Sequence, residues 1–123
     1  MDAPAERRRF PRLSTLGAPY RASFEAGGGT VEVRLANLSA GGCGLELPMA
    51  LARGLDVGSL LQGLRLDHPD LPLVPLEGSV VRLLGKIPGK TAGYALAGVE
   101  FTAVTPFVQM LIHGHVLQHL ELE

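Results

Sequence analysis

Four arginines, Arg7, Arg8, Arg9 and Arg12, fall within six positions, with Phe10 and Pro11 between the last two. A guanidinium keeps its charge at any ordinary pH and presents a planar fork of donors, so such a cluster is suited to holding an anion. It contains four of the 11 Lys and Arg residues of a chain whose formal net charge is −1. A general nucleic-acid binder carries a broad basic surface; this distribution is instead the pattern of a local anion site, and by itself equally that of a solvated N-terminal tail with no partner. A second polar cluster follows, Asn37-Leu38-Ser39-Ala40-Gly41-Gly42. Asn37 and Ser39 are two apart, so on an extended backbone both point to one face and Leu38 to the other. Gly41 and Gly42 permit positive φ and let a flat ligand approach the main chain. The same residue types also build ordinary β-turns.

The remaining reactive side chains point to no reaction. His113, His115 and His119 share the C-terminal stretch, and His115 and His119 are one helical turn apart. No acid stands between them at a ligand spacing, so a polar helix edge and no metal site is the expectation. The single Cys43 excludes an internal disulfide and a multi-cysteine zinc site, and its place on an alternating stretch suits a buried thiol. Ser39 has no recognisable His and Asp partners. Gly85 to Gly93 holds both lysines, Lys86 and Lys90, without the spacing of a P-loop, and reads as a solvated turn. The chain is therefore expected to bind and not to catalyse.

The elements that must position these residues are mostly strands. Gly at 16 and Pro at 9 favour short elements and many turns, and with aromatics at 5% the core must be built from Leu, Val and Ala. Ala18, Tyr20, Ala22 and Phe24 alternate with more polar neighbours, and so do Val31, Val33 and Leu35, with Glu32 and Arg34 facing out. Gly27-Gly28-Gly29 joins the two runs into a hairpin that delivers the Asn37 turn to one end of a sheet. Further strands are predicted over 43–47, 59–67, 73–84 and 94–101, with an irregular crossing over 49–57. On the fifth strand Leu76, Gly78, Val80 and Arg82 are expected on one face. Six strands without intervening helices suit a small antiparallel barrel. Thr105-Pro106 then caps a helix over 107–120 whose apolar residues spread around most of its circumference. Such a helix wants burial on two sides, which points to a homodimer or a protein partner, and Gly114 marks a close backbone approach. Residues 1–6 read as a disordered tail, 7–123 as one domain. With no signal core, no apolar run long enough to span a bilayer and a lone cysteine, a cytoplasmic protein without membrane insertion is expected.

An Arg-x-x-x-Arg element, here Arg8 to Arg12, followed after one hairpin by Asn/Asp-x-Ser-x-x-Gly, here Asn37, Ser39 and Gly42, resembles the PilZ domain family. The likeness extends to the apolar pattern of the middle and to Gly98-Val99-Glu100-Phe101, and so covers Arg7 to about Leu120. It implies an all-β fold, a six-stranded antiparallel barrel with a C-terminal α-helix, and a bacterial second-messenger receptor whose ligand is cyclic di-GMP, with no cofactor. It implies Arg8 and Arg12 as the main ligand arginines, with Arg7 associated with an intercalated ligand dimer. Asn37, Ser39, Gly41 and Gly42 would line the barrel side. The family more often has Asp where this chain has Asn37, which keeps an acceptor oxygen and loses the charge.

Two phosphates and two guanines ask for fixed positive charge, donors to O6 and N7, and acceptors for the guanine N–H groups. Arginine meets the first two demands and can also stack on a base. The expected mechanism is a clamp: mutually repelling arginines are drawn onto the barrel by the dianion, and a protein partner reads the new surface. Two rivals are a degenerate module of the same fold that docks proteins without nucleotide, and a small-barrel RNA binder. The second would need exposed stacking aromatics, for which only Phe10 and Tyr20 are available, and binding to DNA or RNA is not expected.

Overall fold

Two glycines set the first hairpin. In the computed structural model, which describes residues 10–15, 17–85 and 92–122, Gly27 and Gly28 have φ of 60° and 81°. This pair of positive values is what a tight two-residue hairpin turn demands, and it joins β2 (Arg21–Ala26) to β3 (Gly29–Ser39) with Ala26 opposite Gly29. β4 (Gly42–Pro48), β5 (Leu60–Asp67), β6 (Leu76–Leu84) and β7 (Tyr94–Ala103) complete the set, and all pairings are antiparallel. The order runs β3-β2-β5-β6-β7-β4, and β4 pairs back onto β3, so the six strands close into a barrel. The expected fold is borne out. Closure leaves these strands no free edge.

Several boundaries differ from the alternation pattern for local reasons. The first alternating run becomes a strand at Arg21 and not near Ala18, because Gly17 has φ of 83° and turns the chain there. β6 begins at Leu76 and not at Leu73, since Pro75 lacks an amide for the ladder. The crossing after β4 contains one turn of helix, α1 (Met49–Ala52), whose Met49 and Ala52 are buried against β4 and β7. A further strand, β1 (Leu13–Ser14), is too short to leave a periodic trace. It pairs with β3, Leu13 opposite Leu38 and Ser14 opposite Asn37. Buried Thr15 follows it and donates its hydroxyl to the Leu35 carbonyl.

The core fills the barrel with Phe24, Leu35, Leu38, Leu45, Leu47, Leu61, Leu64, Leu66 and Val80. The terminal helix, α2 (Pro106–Leu122), starts as expected: the Thr105 hydroxyl accepts the Val108 amide at 3.2 Å, and Pro106 takes the first position, where an amide is not needed. It packs on β1 and β3 with Ile112 and Val116 fully buried, while Phe107, Met110, Leu111 and Leu117 stay exposed on the other side. Gly114 is exposed, and no other part of the described chain comes near it. The N-terminal segment 1–9, including Arg7, Arg8 and Arg9, and the Lys86 and Lys90 turn lie outside the described residues.

Candidate functional site

Strict alternation would bury Asn37, because Val33 and Leu35 point into the barrel and Asn37 continues their parity. A bulge between Leu35 and Asn37 resets it: Leu35 stays opposite Leu45, Ala36 is the extra residue, and Asn37 comes opposite Gly44. Leu38 then faces the core, and Asn37 and Ser39 face out. β1 lays the N-terminal segment along this stretch, Ser14 beside Asn37 and Leu13 beside Leu38, and farther along Phe10 reaches the turn after Ser39. The two polar segments, far apart in sequence, thus run side by side. Arg12 and Asn37 line one open cleft of about 660 Å³, together with Ser14, Glu46, Tyr94 and Leu96. Among the described residues the Arg12 guanidinium makes no ion pair or hydrogen bond.

The other motif residues shape the turn that follows Asn37. The Ser39 hydroxyl donates to the Gly42 carbonyl and accepts from the Gly41 amide, both at 3.3 Å. Neither Gly41 nor Gly42 has positive φ, contrary to the expectation from their type. Both stand at close approaches, and the one at Gly42 is far tighter. A Cβ on Gly41 would lie 3.3 Å from Cδ2 of Phe10, and one on Gly42 would lie 2.1 Å from the Val99 carbonyl oxygen of β7. The neighbouring strand therefore imposes glycine at position 42, while the N-terminal segment packs closely on Gly41. The turn is also tied to α2, where the Gln109 side-chain Nε2 donates to the Ala40 carbonyl at 3.3 Å.

Two further glycines and one arginine continue the row from Asn37 across the barrel wall. The register sets Asn37 opposite Gly44, Gly44 opposite Gly98, and Gly98 opposite Arg82. A Cβ on Gly44 would sit 2.5 Å from Nδ2 of Asn37, so the missing side chain is what gives the amide its place. A second bulge, between Val80 and Arg82, turns Arg82 outward although alternation with Leu76, Gly78 and Val80 would have buried it. The result is a stretch of bare backbone, Gly44 and Gly98, in register between Asn37 and Arg82. Sequence reasoning missed Gly44, Glu46, Arg82 and Tyr94; the glycine spacing was the one local signal, and it needed the register to be read.

Elsewhere one expectation holds and one does not. Cys43 is buried, and burial pushes its thiol up to about 12, which suits an inert structural residue. His115 is not on a polar helix edge. It is 6% exposed, and its Nε2 lies 2.8 Å from the Tyr20 hydroxyl. Burial first, then neighbouring His119 and His68, lowers its pKa to about 4, so the ring is neutral at pH 7. Tyr20 is itself buried at 6% exposure, its partners being tertiary ones invisible to a local pattern. Phe10 is half-buried, edge-on to His113 with ring centroids 5.5 Å apart.

The profile of the PilZ domain matches residues 6–118. The chain belongs to the PilZ domain family. Solved structures agree on the fold. The PilZ domain with c-di-GMP of YcgR from Escherichia coli superposes with a TM-score of 0.73 at 22% identity, covering 94% of this chain and 95% of that one. The K. pneumonia MrkH–c-di-GMP complex gives 0.75 at 18%, and Bacillus subtilis MotI/DgrA, an inhibitor of motility, 0.76 at 18%. These cover 93% and 95% of this chain, which spans 52% of the length of each of those two. No curated protein sequence matches the chain. As in the sequence reading, the PilZ elements Arg8–Arg12 and Asn37–Gly42 fall inside the matched span. No helix among the described residues is long and apolar enough to cross a membrane.

Proposed function

We propose that this PilZ domain is a cyclic di-GMP receptor that signals through the position of its N-terminal arginine segment. The observation that supports it most is that Arg12 and Asn37, 25 positions apart, line the same cleft. Arg12, with Arg7 and Arg8 preceding it, supplies charge to the phosphates or a fork to a guanine O6/N7 edge. Asn37 offers a donor and an acceptor to a base edge, and the Glu46 carboxylate is an acceptor for guanine N–H groups. Tyr94, 63% exposed in the cleft wall, offers a ring face for stacking. Ser39, Gly41 and Gly42 hold the turn that keeps Asn37 and the N-terminal segment in register. The domain works by binding and not by catalysis, and it acts in the cytoplasm. Anion binding draws the arginine segment onto the barrel, and a protein partner reads the rearranged surface. The exposed apolar side of α2 is covered by a second copy of the chain.

A thermal-shift panel with cyclic di-GMP, cyclic di-AMP and GTP at moderate salt tests the reading, because a ligand that binds only the folded state raises Tm. A selective response to cyclic di-GMP is expected. No response to any of the three would favour the protein-docking adaptor of the same fold. An RNA-binding role loses support from the burial of Tyr20, one of the two aromatics it required.

A further inference from the structure

A second cluster of chemistry-bearing side chains lies away from the arginine cleft, where the segment after β5 meets α2. His68 follows β5, and its ring stacks on Tyr20 with centroids 4.2 Å apart and planes 14° from parallel. His115, on α2, meets His68 edge-on at 5.1 Å and His119 at 4.0 Å. Asp70 lies two residues beyond His68, and its amide donates to His68 Nδ1 at 3.1 Å. One ligand atom from each of His68, Asp70 and His115 lies within 4.8 Å of those of the other two. We propose that His68, Asp70 and His115 form a site for a divalent transition-metal ion of the zinc type, which clips the segment after β5 to α2.

The donor set carries the choice of metal. Two imidazoles and one carboxylate suit zinc or cobalt, whereas calcium and magnesium prefer all-oxygen sets. Three protein ligands leave the fourth tetrahedral position for water or for a neighbouring group such as the Tyr20 hydroxyl, 2.8 Å from His115 Nε2. Contraction is modest, because His68 and Asp70 belong to one short turn, closed by the Leu71 amide on the His68 carbonyl at 3.1 Å. The ion would replace two hydrogen bonds, Tyr20 to His115 and the Asp70 amide to His68, with coordinate bonds. His119 is already held by its Nδ1 on the His115 carbonyl at 2.9 Å, which fixes its ring beside the site. The sequence pattern concealed this arrangement, since the helix supplies one ligand and the acid comes from a segment 45 positions earlier. The site owes nothing to nucleotide binding, and its occupancy stabilises the seat of α2.

The test uses the full chain without an affinity tag, stripped with chelator and titrated with Co²⁺ and Zn²⁺. One equivalent of Co²⁺ is expected to give the visible absorption of a tetrahedral or five-coordinate site, and Zn²⁺ should displace it and raise Tm by roughly 5 °C or more in excess. His68→Gln and Asp70→Asn, on half-buried and exposed positions, should fold as the parent does and weaken Zn²⁺ binding by at least about 100-fold, beyond the effect of losing an outer-shell partner. His113→Gln, on the same helix outside the cluster, should bind as the parent does. Absence of the cobalt spectrum, or equal Zn²⁺ affinity in the parent and the His68 and Asp70 variants, would overturn the proposal.

Discussion

Gly44 shows how one missing side chain sets the chemistry of another residue. Its absent Cβ leaves the space that the Asn37 amide occupies, at 2.5 Å from where the carbon would be. Gly44→Ala should push the amide out of place at little cost to the fold, because the obstacle is the free end of a side chain. The expected outcome is a Tm near that of the parent and a loss of cyclic di-GMP affinity of roughly 5- to 20-fold, the worth of one hydrogen bond, measured by calorimetric titration. Gly42→Ala, by contrast, drives a carbon against the Val99 backbone carbonyl and should lower stability by about 1 to 3 kcal/mol in a denaturant titration. The types of Asn37, Ser39 and Gly42 were legible in the sequence as a motif. Their surroundings were not: Gly42 lies against the Val99 carbonyl of β7, the Ser39 hydroxyl bridges the turn, and Asn37 lines the cleft. Nor was the burial of His115, which depends on Tyr20 and on a histidine 47 positions away.

At the scale of elements, the strands with clean alternation could be read directly, as could the Gly27-Gly28 turn and the Thr105-Pro106 helix start. Those signals are local. The bulges at Ala36 and before Arg82 have no local signature, because an inserted residue changes side-chain parity without changing composition. Both occur where an outward polar residue follows inward apolar ones, so each re-aims a side chain of the wall. β1 escaped notice for a different reason: two residues cannot show a period. Its anchor is Leu13, 3% exposed and opposite Leu38. Leu13→Ala should cost about 2 to 3 kcal/mol by leaving a cavity under the N-terminal segment, seen as a lower denaturation midpoint. It should also weaken cyclic di-GMP binding, since Arg12 would lose its fixed approach to Asn37. Full affinity with β1 loosened would show that the segment does not depend on this pairing.

Across the whole molecule, the closed barrel holds the core, and α2 is the element with two apolar sides. Ile112 and Val116 are used against the barrel, whereas Phe107, Met110, Leu111 and Leu117 surround the exposed Gly114. Sedimentation velocity is expected to show a dimer, and Met110→Lys, at a position 62% exposed, should give a folded monomer; a parent that stays monomeric at high concentration would exclude pairing through this face. The nucleotide reading rests on the convergence of the N-terminal segment with the wall of β3. Calorimetric titration of cyclic di-GMP into the parent and Arg12→Ala tests that convergence most directly. Loss of one charge-assisted contact, about 1.5 to 3 kcal/mol, should weaken binding roughly 10- to 150-fold. Equal affinity in the two proteins would contradict it.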